Sequence, residues 1–514
     1  MPSPLCFAFV LIVLGVLSTS MVSGASPVEI ADQTRLVPIR RAGEVPVLVI
    51  PAAYPGSAAT FTSAQISAMF NQQDFTWANG QGAVRDYLLA ASQGRFRTTF
   101  TVAPWVAFAK TRDQYFAEWI TRPPTGEVYY RSSMGSDALA ALAATGFDFR
   151  PFDGDGDGFV DFPPIVVHQG RGLDEVRYTI GQQNMIGHFA PMPSPVTYNG
   201  VRFDTYITGP ELRGTDHPKA GLFCHEIGHA LGLPELYDST PPGTLLADIG
   251  SGIGSWSLMS WWDVNASSPY PILPGAWERS YLGWGRVVDL SSSASGVTLP
   301  ASAASDGVIY RIRSGCAPQE YFLIENRTRS GFDGVLPGAG LLVWHVDESL
   351  WDGRWTNGAP VNSDENRRLV DLIQADGLAN LNQLKYLTNP LRANPAANQG
   401  DAGDPFPGTA NVRSLSSASN PRFASYVNGA LPWSLSAISN AGPVMSFSLT
   451  IGPVGPVAGD ANGDGVLSSA DLTFATRRFG TRSGDPGFAA TADLDGSGGI
   501  DAHDLSLITR ALGH

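Results

Sequence analysis

Two hydrophobic periods alternate along the chain, and the change from one to the other divides it. VPVLVIPA (45–52) is an unbroken apolar run of strand length, the pattern of a strand buried on both faces. GAVRDYLLAASQGRF (82–96) has helical spacing and is predicted to stop near Gly94. FTVAPWVAF (100–108) returns to a strand pattern, a helix is predicted over 135–145, and PPIVVHQG (163–170) reads as another strand. Residues 218–233 read as a helix. From about residue 300 short strands dominate: GVIYRIRS, EYFLIENR, GLLVWHVD, RRLVDLIQAD and VMSFSLTI. That region is expected to be β-rich and sandwich-like. GPVGPVAG (452–459) is a Pro/Gly linker. Beyond it lies an internal repeat: GDANGDGVLSSADLTFATRRFG (459–480) aligns with ADLDGSGGIDAHDLSLITRALG (492–513) at an offset of 33 residues. Each copy is an Asp/Gly loop followed by a helix with an apolar face. Leu472, Phe474, Ala475 and Phe479 form the first face, and Leu505, Leu507, Ile508 and Leu512 the second.

At 514 residues the chain is too long for one core, so several domains are expected. Gly (57) and Pro (38) are plentiful and charged residues only 16%, which favours strands and long loops over helical bundles. The N-terminus, MPSPLCFAFVLIVLGVLSTSMVSGAS, has an apolar stretch from Leu5 to Leu17, shorter than the ~20 residues of a membrane span. Small residues follow it, as in an export signal cleaved after Gly24, although the segment before the apolar stretch has no Lys or Arg. No later stretch is apolar enough to span a bilayer. The net charge of −14 argues against a nucleic-acid partner. Eleven Asp residues are packed into 153–161, 460–471 and 493–504, and carboxylates at that density repel unless they share a cation. Cys6 would leave with the signal. Cys224 and Cys316 are either one disulfide or two separate buried thiols.

The most specific chemistry lies in CHEIGHALGLPELYD (224–238). His225 and His229 are four apart on a helix, so their imidazoles share a face and can share one metal ion. Glu226 lies one step round the helix, placed to take a proton from an attacking water rather than to bind the ion. Gly232 can adopt positive φ and end the helix, and Pro234 prevents its resumption. The chain can then turn back to bring Glu235 in as third ligand, with Asp238 the alternative. His168 and His345 read as structural histidines. Tyr237 and Tyr270 could each polarise a scissile carbonyl, and the sequence does not choose between them.

This segment resembles the M6 (immune inhibitor A-like) metallopeptidases, relatives of the metzincins, whose pattern is HExxHxxGxx followed by an acid. The family's acid is usually Asp; this chain has Glu235, an arm longer by one methylene. GSWSLMSWWD (254–263) is similar to the family's Met-containing turn, which places Met259 beneath the metal. PGAWERSYLGW (274–284), EYFLIENR (320–327), LPGAGLLVWHVDE (336–348), LIQADG (372–377) and GDPFPG (403–408) also fit its pattern. The resemblance implies a metzincin-like catalytic domain, one catalytic Zn²⁺ and proteolysis of extracellular proteins. Relatives often carry a long pro-segment; about 20 residues separate Gly24 from the first core strand here, so a large inhibitory propeptide is not expected.

FDGDGDGFVDF (152–162) offers Asp153, Asp155, Asp157 and Asp161, oxygen ligands that suit a structural Ca²⁺. The C-terminal loops offer Asp460, Asn462, Asp464, Ser468 and Asp471 with the carbonyl of Val466, then Asp493, Asp495, Ser497, Asp501 and Asp504 with the carbonyl of Gly499. Position twelve is Asp in both loops. This paired-loop module resembles a type I dockerin, which implies calcium-dependent folding and a cohesin-type scaffold partner. The dockerin recognition pairs fall at Ser469–Ala470 and Ala502–His503 and differ from one another.

The expected fold class is a multidomain α+β chain. It comprises a signal peptide (1–24), a metzincin-like zinc peptidase domain (25–300), a β-rich sandwich-like part (301–451), the linker (452–459) and a small α-helical, calcium-binding dockerin-like domain (460–514). The expected function is a secreted zinc endopeptidase holding about three structural Ca²⁺, acting on protein or peptide substrates outside the cell or at its surface. The competing reading is an inactive adhesion or scaffold component that presents the dockerin-like module.

Overall fold

The computed structural model describes residues 39–76, 82–119, 132–171, 187–212, 220–238, 251–260, 271–303, 307–351, 361–383, 398–421, 423–452, 459–463 and 467–512. The export signal, Tyr270, Asp464, Val466 and all but the ends of the linker lie outside these residues.

The first region is built on a six-stranded sheet. Its strands are β1 (Gly43–Ala53), β2 (Phe96–Val102), β3 (Val106–Ala107), β4 (Ile165–Arg171), β5 (His188–Tyr198) and β6 (Val201–Leu212). The order is β2-β1-β4-β6-β5, with β3 pairing β1 beyond the end of β2. All neighbours are parallel except the β5–β6 hairpin, which puts β5 at one edge, antiparallel to the rest. β1 explains the continuous apolar run read from the sequence. Val45, Val47 and Val49 point into one core and Leu48, Ile50 and Ala52 into the other, so both faces of the strand are buried. The predicted 100–108 strand is two strands, interrupted around Pro104, which cannot donate to the ladder.

Helices cover both faces. α1 (Ser63–Asn71) and α2 (Val84–Ala91) pack on the first face through Ile66, Met69, Phe70, Val84, Tyr87 and Leu88. α1 opens with a capping box: the Thr62 hydroxyl accepts from Gln65 N at 3.2 Å, and the Gln65 side chain accepts from Thr62 N at 2.9 Å. α3 (Arg112–Trp119) and α4 (Met134–Ala143) serve the second face, where Tyr115, Met134, Ala138, Leu139 and Leu142 are buried. α5 (Ala220–Ala230) returns to the first face and is buried along nearly its whole length.

The second region begins after α6 (Ala276–Tyr281). One five-stranded sheet has the order β12-β11-β10-β9-β7, from β7 (Arg286–Asp289), β9 (Val308–Ile312), β10 (Glu320–Arg327), β11 (Gly340–Asp347) and β12 (Val370–Leu372). A three-stranded sheet joins β15 (Trp433–Ser436), β16 (Val444–Ile451) and β8 (Ala294–Pro300), and a short β13–β14 pair lies at 424–430. β10 and β11 are buried at every residue. Their alternate side chains enter either the core shared with the first region (Leu323, Leu342, Trp344) or the one shared with the three-stranded sheet (Phe322, Ile324, Val343). β7 and β8 precede residue 301 yet pair with β9 and β16, so this part draws strands from both sides of that position.

The C-terminal module has α7 (Ser469–Thr476) and α8 (Ala502–Ala511) over a small core of Ala461, Leu467, Ala475, Ala492, Ile500 and Ile508. Leu472, Phe474, Leu505 and Leu512 flank that core. Phe479 does not join it: it lies beyond the end of α7 and is 53% exposed. Cys224 and Cys316 are free, buried thiols in different cores.

Candidate metal centres

α5 carries CHEIGH and is shorter than the 218–233 reading. Gly232, at φ +96°, closes it: Gly232 N donates to His229 O at 2.9 Å, and Leu233 N to Gly228 O at 3.0 Å. The chain then reverses and carries Glu235 back toward the histidines. Glu235 Oε1 lies 3.1 Å from His229 Nε2, and its Oε2 lies 3.3 Å from His225 Nε2. One donor atom from each of the three falls within 4.8 Å of the others. Asp238 is buried but is not part of this group.

The imidazoles are set by backbone carbonyls. His225 Nδ1 is 3.0 Å from Leu258 O, and His229 Nδ1 is 2.9 Å from Leu233 O. Only an N–H satisfies a carbonyl, so in the neutral rings the proton sits on Nδ1 and the Nε2 lone pair faces Glu235. The rings are perpendicular, with centroids 4.8 Å apart. Two neutral Nε2 atoms and one carboxylate, nearly excluded from solvent, are a donor set that fits a tetrahedral zinc site with a fourth position to spare. Without a metal the three groups would pair by charge, so zinc binding would displace a proton from His225. Burial opposes ionisation of Glu235, but the two imidazoles outweigh it and hold the carboxyl well below the usual range. Burial would lower His225, and the Glu235 carboxylate overrides it and raises the ring to about 9.

Glu226 is buried beside this group and receives a backbone hydrogen bond from Phe189 on the edge strand β5. Burial pushes its carboxyl up, against the pull of both histidines. Met259 is wholly buried beneath the helix. A Cβ on Gly228 would stand 2.5 Å from its Sδ, so glycine between the two histidines is what lets the methionine approach. Met259 O accepts from Leu236 N at 2.9 Å, which ties this turn to the segment carrying Glu235.

Several supporting residues were missed in the sequence. Glu278 on α6 accepts from Met259 N at 2.9 Å and also from Gly275 N and Ser257 Oγ. Burial pushes its carboxyl up to about 7. In sequence it reads only as an acid in a helix's first turn. Below it runs a buried network: Arg279 bonds Glu325 Oε2 at 2.6 Å, Arg327 bonds Asp333 Oδ1 at 2.6 Å, and Trp344 Nε1 bonds Glu325 Oε1 at 2.9 Å. The β5–β6 hairpin had a usable signal, Asn199–Gly200, and both residues adopt positive φ at its turn. His168 is buried on β4 beside Tyr54, and His345 bonds Glu320 Oε1 at 2.6 Å while stacked between Phe322 and Tyr426. Neither belongs to the histidine–glutamate group.

The Asp-rich loops differ in what they assemble. Asp153, Asp155 and Asp157 present oxygens within 4.8 Å of one another. Asp161 is not in that group: its Oδ2 accepts from Gly154 N at 2.9 Å, and its Oδ1 lies 3.5 Å from Arg40, which also pairs with Asp155 at 3.0 Å. In the second C-terminal loop Asp493, Asp495 and Asp504 group in the same way. Asp501 instead caps α8 by accepting from His503 N at 2.7 Å, and Ser497 Oγ lies 3.4 Å from Asp493 Oδ1 and 3.1 Å from Gly499 O. In the first loop Asp471 accepts from Asn462 N at 3.1 Å and Ser468 N at 2.7 Å, and Asp460 from Gly463 N at 2.7 Å. The residues between, Asp464 and Val466, lie outside the described ones.

Comparison with known proteins agrees with this division. Residues 62–268 match the family model for the catalytic domain of immune inhibitor A peptidase M6. Residues 458–513 match that for the dockerin type I domain. Immune inhibitor A of Bacillus thuringiensis subsp. alesti is 26% identical over 196 residues, an alignment covering 34% of this chain and 28% of that protein. Among the described residues no helix is long and apolar enough to cross a membrane. The histidines of α5 therefore lie within a peptidase M6 domain of the immune inhibitor A type, and the same chain carries a type I dockerin domain at its C-terminal end.

Proposed function

We propose that the chain is a secreted zinc-dependent endopeptidase, with His225, His229 and Glu235 holding the ion and Glu226 acting as general base. The observation that carries this reading is the convergence of two Nε2 atoms and one carboxylate while both Nδ1 atoms are bonded to carbonyls. Zinc bound there supplies Lewis acidity, lowering the pKa of water and polarising a carbonyl. The chain's own residues do the rest. Glu226 takes the proton of the attacking water and passes it to the departing amine. The Phe189 N–H orients that carboxylate.

The dockerin module would bind two Ca²⁺ and a cohesin-type partner, and the 153–157 loop a third Ca²⁺. Attachment through such a module fits an extracellular or cell-surface location. The assembled Glu226 and histidines favour catalysis over the inactive scaffold reading. The test is casein hydrolysis by the purified full chain with bound zinc counted. Cleavage that stops with 1,10-phenanthroline and returns with zinc is expected. Stoichiometric zinc with no cleavage across a panel of unfolded proteins would establish the scaffold reading instead.

A further inference from the structure

A fourth carboxylate group lies apart from all of these. Asp376 follows β12, while Asp401 and Asp404 belong to the loop 398–408. One oxygen from each lies within 4.8 Å of the others. Around Ca²⁺, oxygens bind at roughly 2.3–2.6 Å, so ligands on opposite sides of the ion stand about 5 Å apart, and the trio fits that span.

Crowded acids alone do not make a site; Asp404 adds the second observation. It is fully buried, at 0% exposure. Its Oδ2 accepts from Trp256 Nε1 at 3.0 Å and from Asp401 N at 2.9 Å. Its Oδ1 is buried with no hydrogen-bond partner. A desolvated carboxylate beside two more carboxylates is unfavourable on both counts unless a proton or a cation neutralises it, and burial with these neighbours pushes the Asp404 carboxyl up to about 7. Among the described residues no basic side chain pairs with the trio.

The other carboxylates are held as a preformed ligand set. Asp376 Oδ1 accepts from Leu378 N at 2.9 Å. Asp401 is fixed by Gly403 N at 2.6 Å, Asn398 Nδ2 at 2.7 Å and Asn380 Nδ2 at 3.1 Å. A Cβ on Gly403 would stand 2.5 Å from Asp376 Oδ2 and 2.9 Å from Asp401 Oδ1, so a side chain there would fill the space between the acids. The donors are all oxygen, which selects a hard cation over zinc.

We propose that Asp376, Asp401 and Asp404 bind a divalent cation of the calcium type, distinct from the zinc and from the other acidic loops. Its consequence reaches the active site. The 398–404 loop holds the segment 251–260 at three points: Asn398 O accepts from Ser251 Oγ at 2.7 Å, Gln399 O from Ser255 N at 2.6 Å, and Asp404 from Trp256. That segment ends in Leu258 and Met259, the residues that orient His225 and support α5. The ion braces the floor of the zinc site from outside.

The experiment counts calcium. Full-length wild type, D376N/D401N, D153N/D155N and D493N/D504N are stripped with EDTA, reloaded with stoichiometric zinc and equilibrated with micromolar CaCl2. Bound calcium is then measured by mass spectrometry of the gel-filtered protein. D376N/D401N is expected to bind one equivalent fewer than wild type, additively with the other pairs, and to lose several degrees of the calcium-induced rise in Tm. A D376N/D401N protein whose circular dichroism in EDTA matches wild type and which binds as many equivalents as wild type would overturn the proposal. Should that variant not fold, wild-type crystals grown in CaCl2 decide. An anomalous peak between the three acids supports the site, and a refined map without one refutes it.

Discussion

The α5 histidines and the C-terminal acidic loops, both proposed above to bind metal, stand in opposite relations to the fold. His225 and His229 sit on a helix buried along nearly its whole length, inside a core that runs from β1 to beyond β11. Their rings are fixed by protein carbonyls, so the fold assembles the ligands. In the C-terminal module the fully buried core is six residues, three of them alanine. Asp493 is half-buried and Asp495 exposed, and both lie close to the buried Asp504. A domain of that size rarely buries enough apolar surface to fold unaided, and like charges so close oppose it further. On the proposed reading calcium would assemble the fold there. One metal would then be held for chemistry and the others for structure.

The largest effect should come from breaking the chemical side while leaving the fold alone. Glu226→Gln keeps the size and burial of the side chain but removes its basicity. It should lower kcat by about 10²–10⁴-fold with zinc content and thermal unfolding unchanged. Activity within threefold of wild type would remove Glu226 from the mechanism.

Calcium withdrawal should break the structural side next. In EGTA with zinc resupplied, amide protection across 467–512 should fall to that of an unfolded chain while α5 stays protected. Simultaneous loss in both regions would erase the contrast, and full protection of 467–512 without calcium would show that its small core suffices.

How much of this was legible follows the same contrast. The grouping of His225, His229 and Glu235 was readable because its geometry is local: a helix repeat, a glycine stop and a short return bring together residues within eleven positions. β10, β11 and β16 matched their predicted runs residue for residue; β10 and β11 are buried throughout, while β16 alternates buried and more open positions, both recognised strand patterns. β5 was missed because Pro191, Pro193 and Pro195 read as a loop; an edge strand tolerates them, and among the described residues no strand pairs with its outer side. The parallel order of the first sheet and the Asp376–Asp401–Asp404 group are products of tertiary contact, and no local pattern encodes them. Asp161 and Asp501 have the loop spacing, and their carboxylates also bond Gly154 N and Arg40 in one case and the start of α8 in the other.

A smaller effect should appear in the pH dependence of the peptidase region, through Glu278. Its folded carboxyl is pushed up to about 7 by burial, from 4.5 in an exposed group. A raised acid favours the protonated form in the fold. Its contribution is therefore fully present below about pH 4.5 and is lost as pH climbs through 7, a change of roughly 3 kcal/mol. Glu278→Gln cannot titrate, so denaturant unfolding of the wild type should lose about that much more stability than the variant between pH 4.5 and 7.5. Parallel pH profiles would mean that Met259 N and Gly275 N keep Glu278 ionised.

The smallest effect is expected directly beneath the metal, and it separates packing from chemistry. Met259 touches the zinc helix through the gap left by Gly228 and reaches no ligand atom of its own. Met259→Leu conserves volume and should cost less than about 1.5 kcal/mol, with zinc affinity nearly unchanged. Gly228→Ala adds a single carbon that must displace Sδ or lift the helix, and overpacking of this kind costs about 1–3 kcal/mol. Because the displaced helix carries both imidazoles, that variant should also weaken zinc binding, measured by competition with a chromogenic chelator. If Met259→Leu loses as much zinc affinity as Gly228→Ala, the sulfur matters beyond its shape. The fold would then contribute a chemical property to the zinc site as well as its geometry.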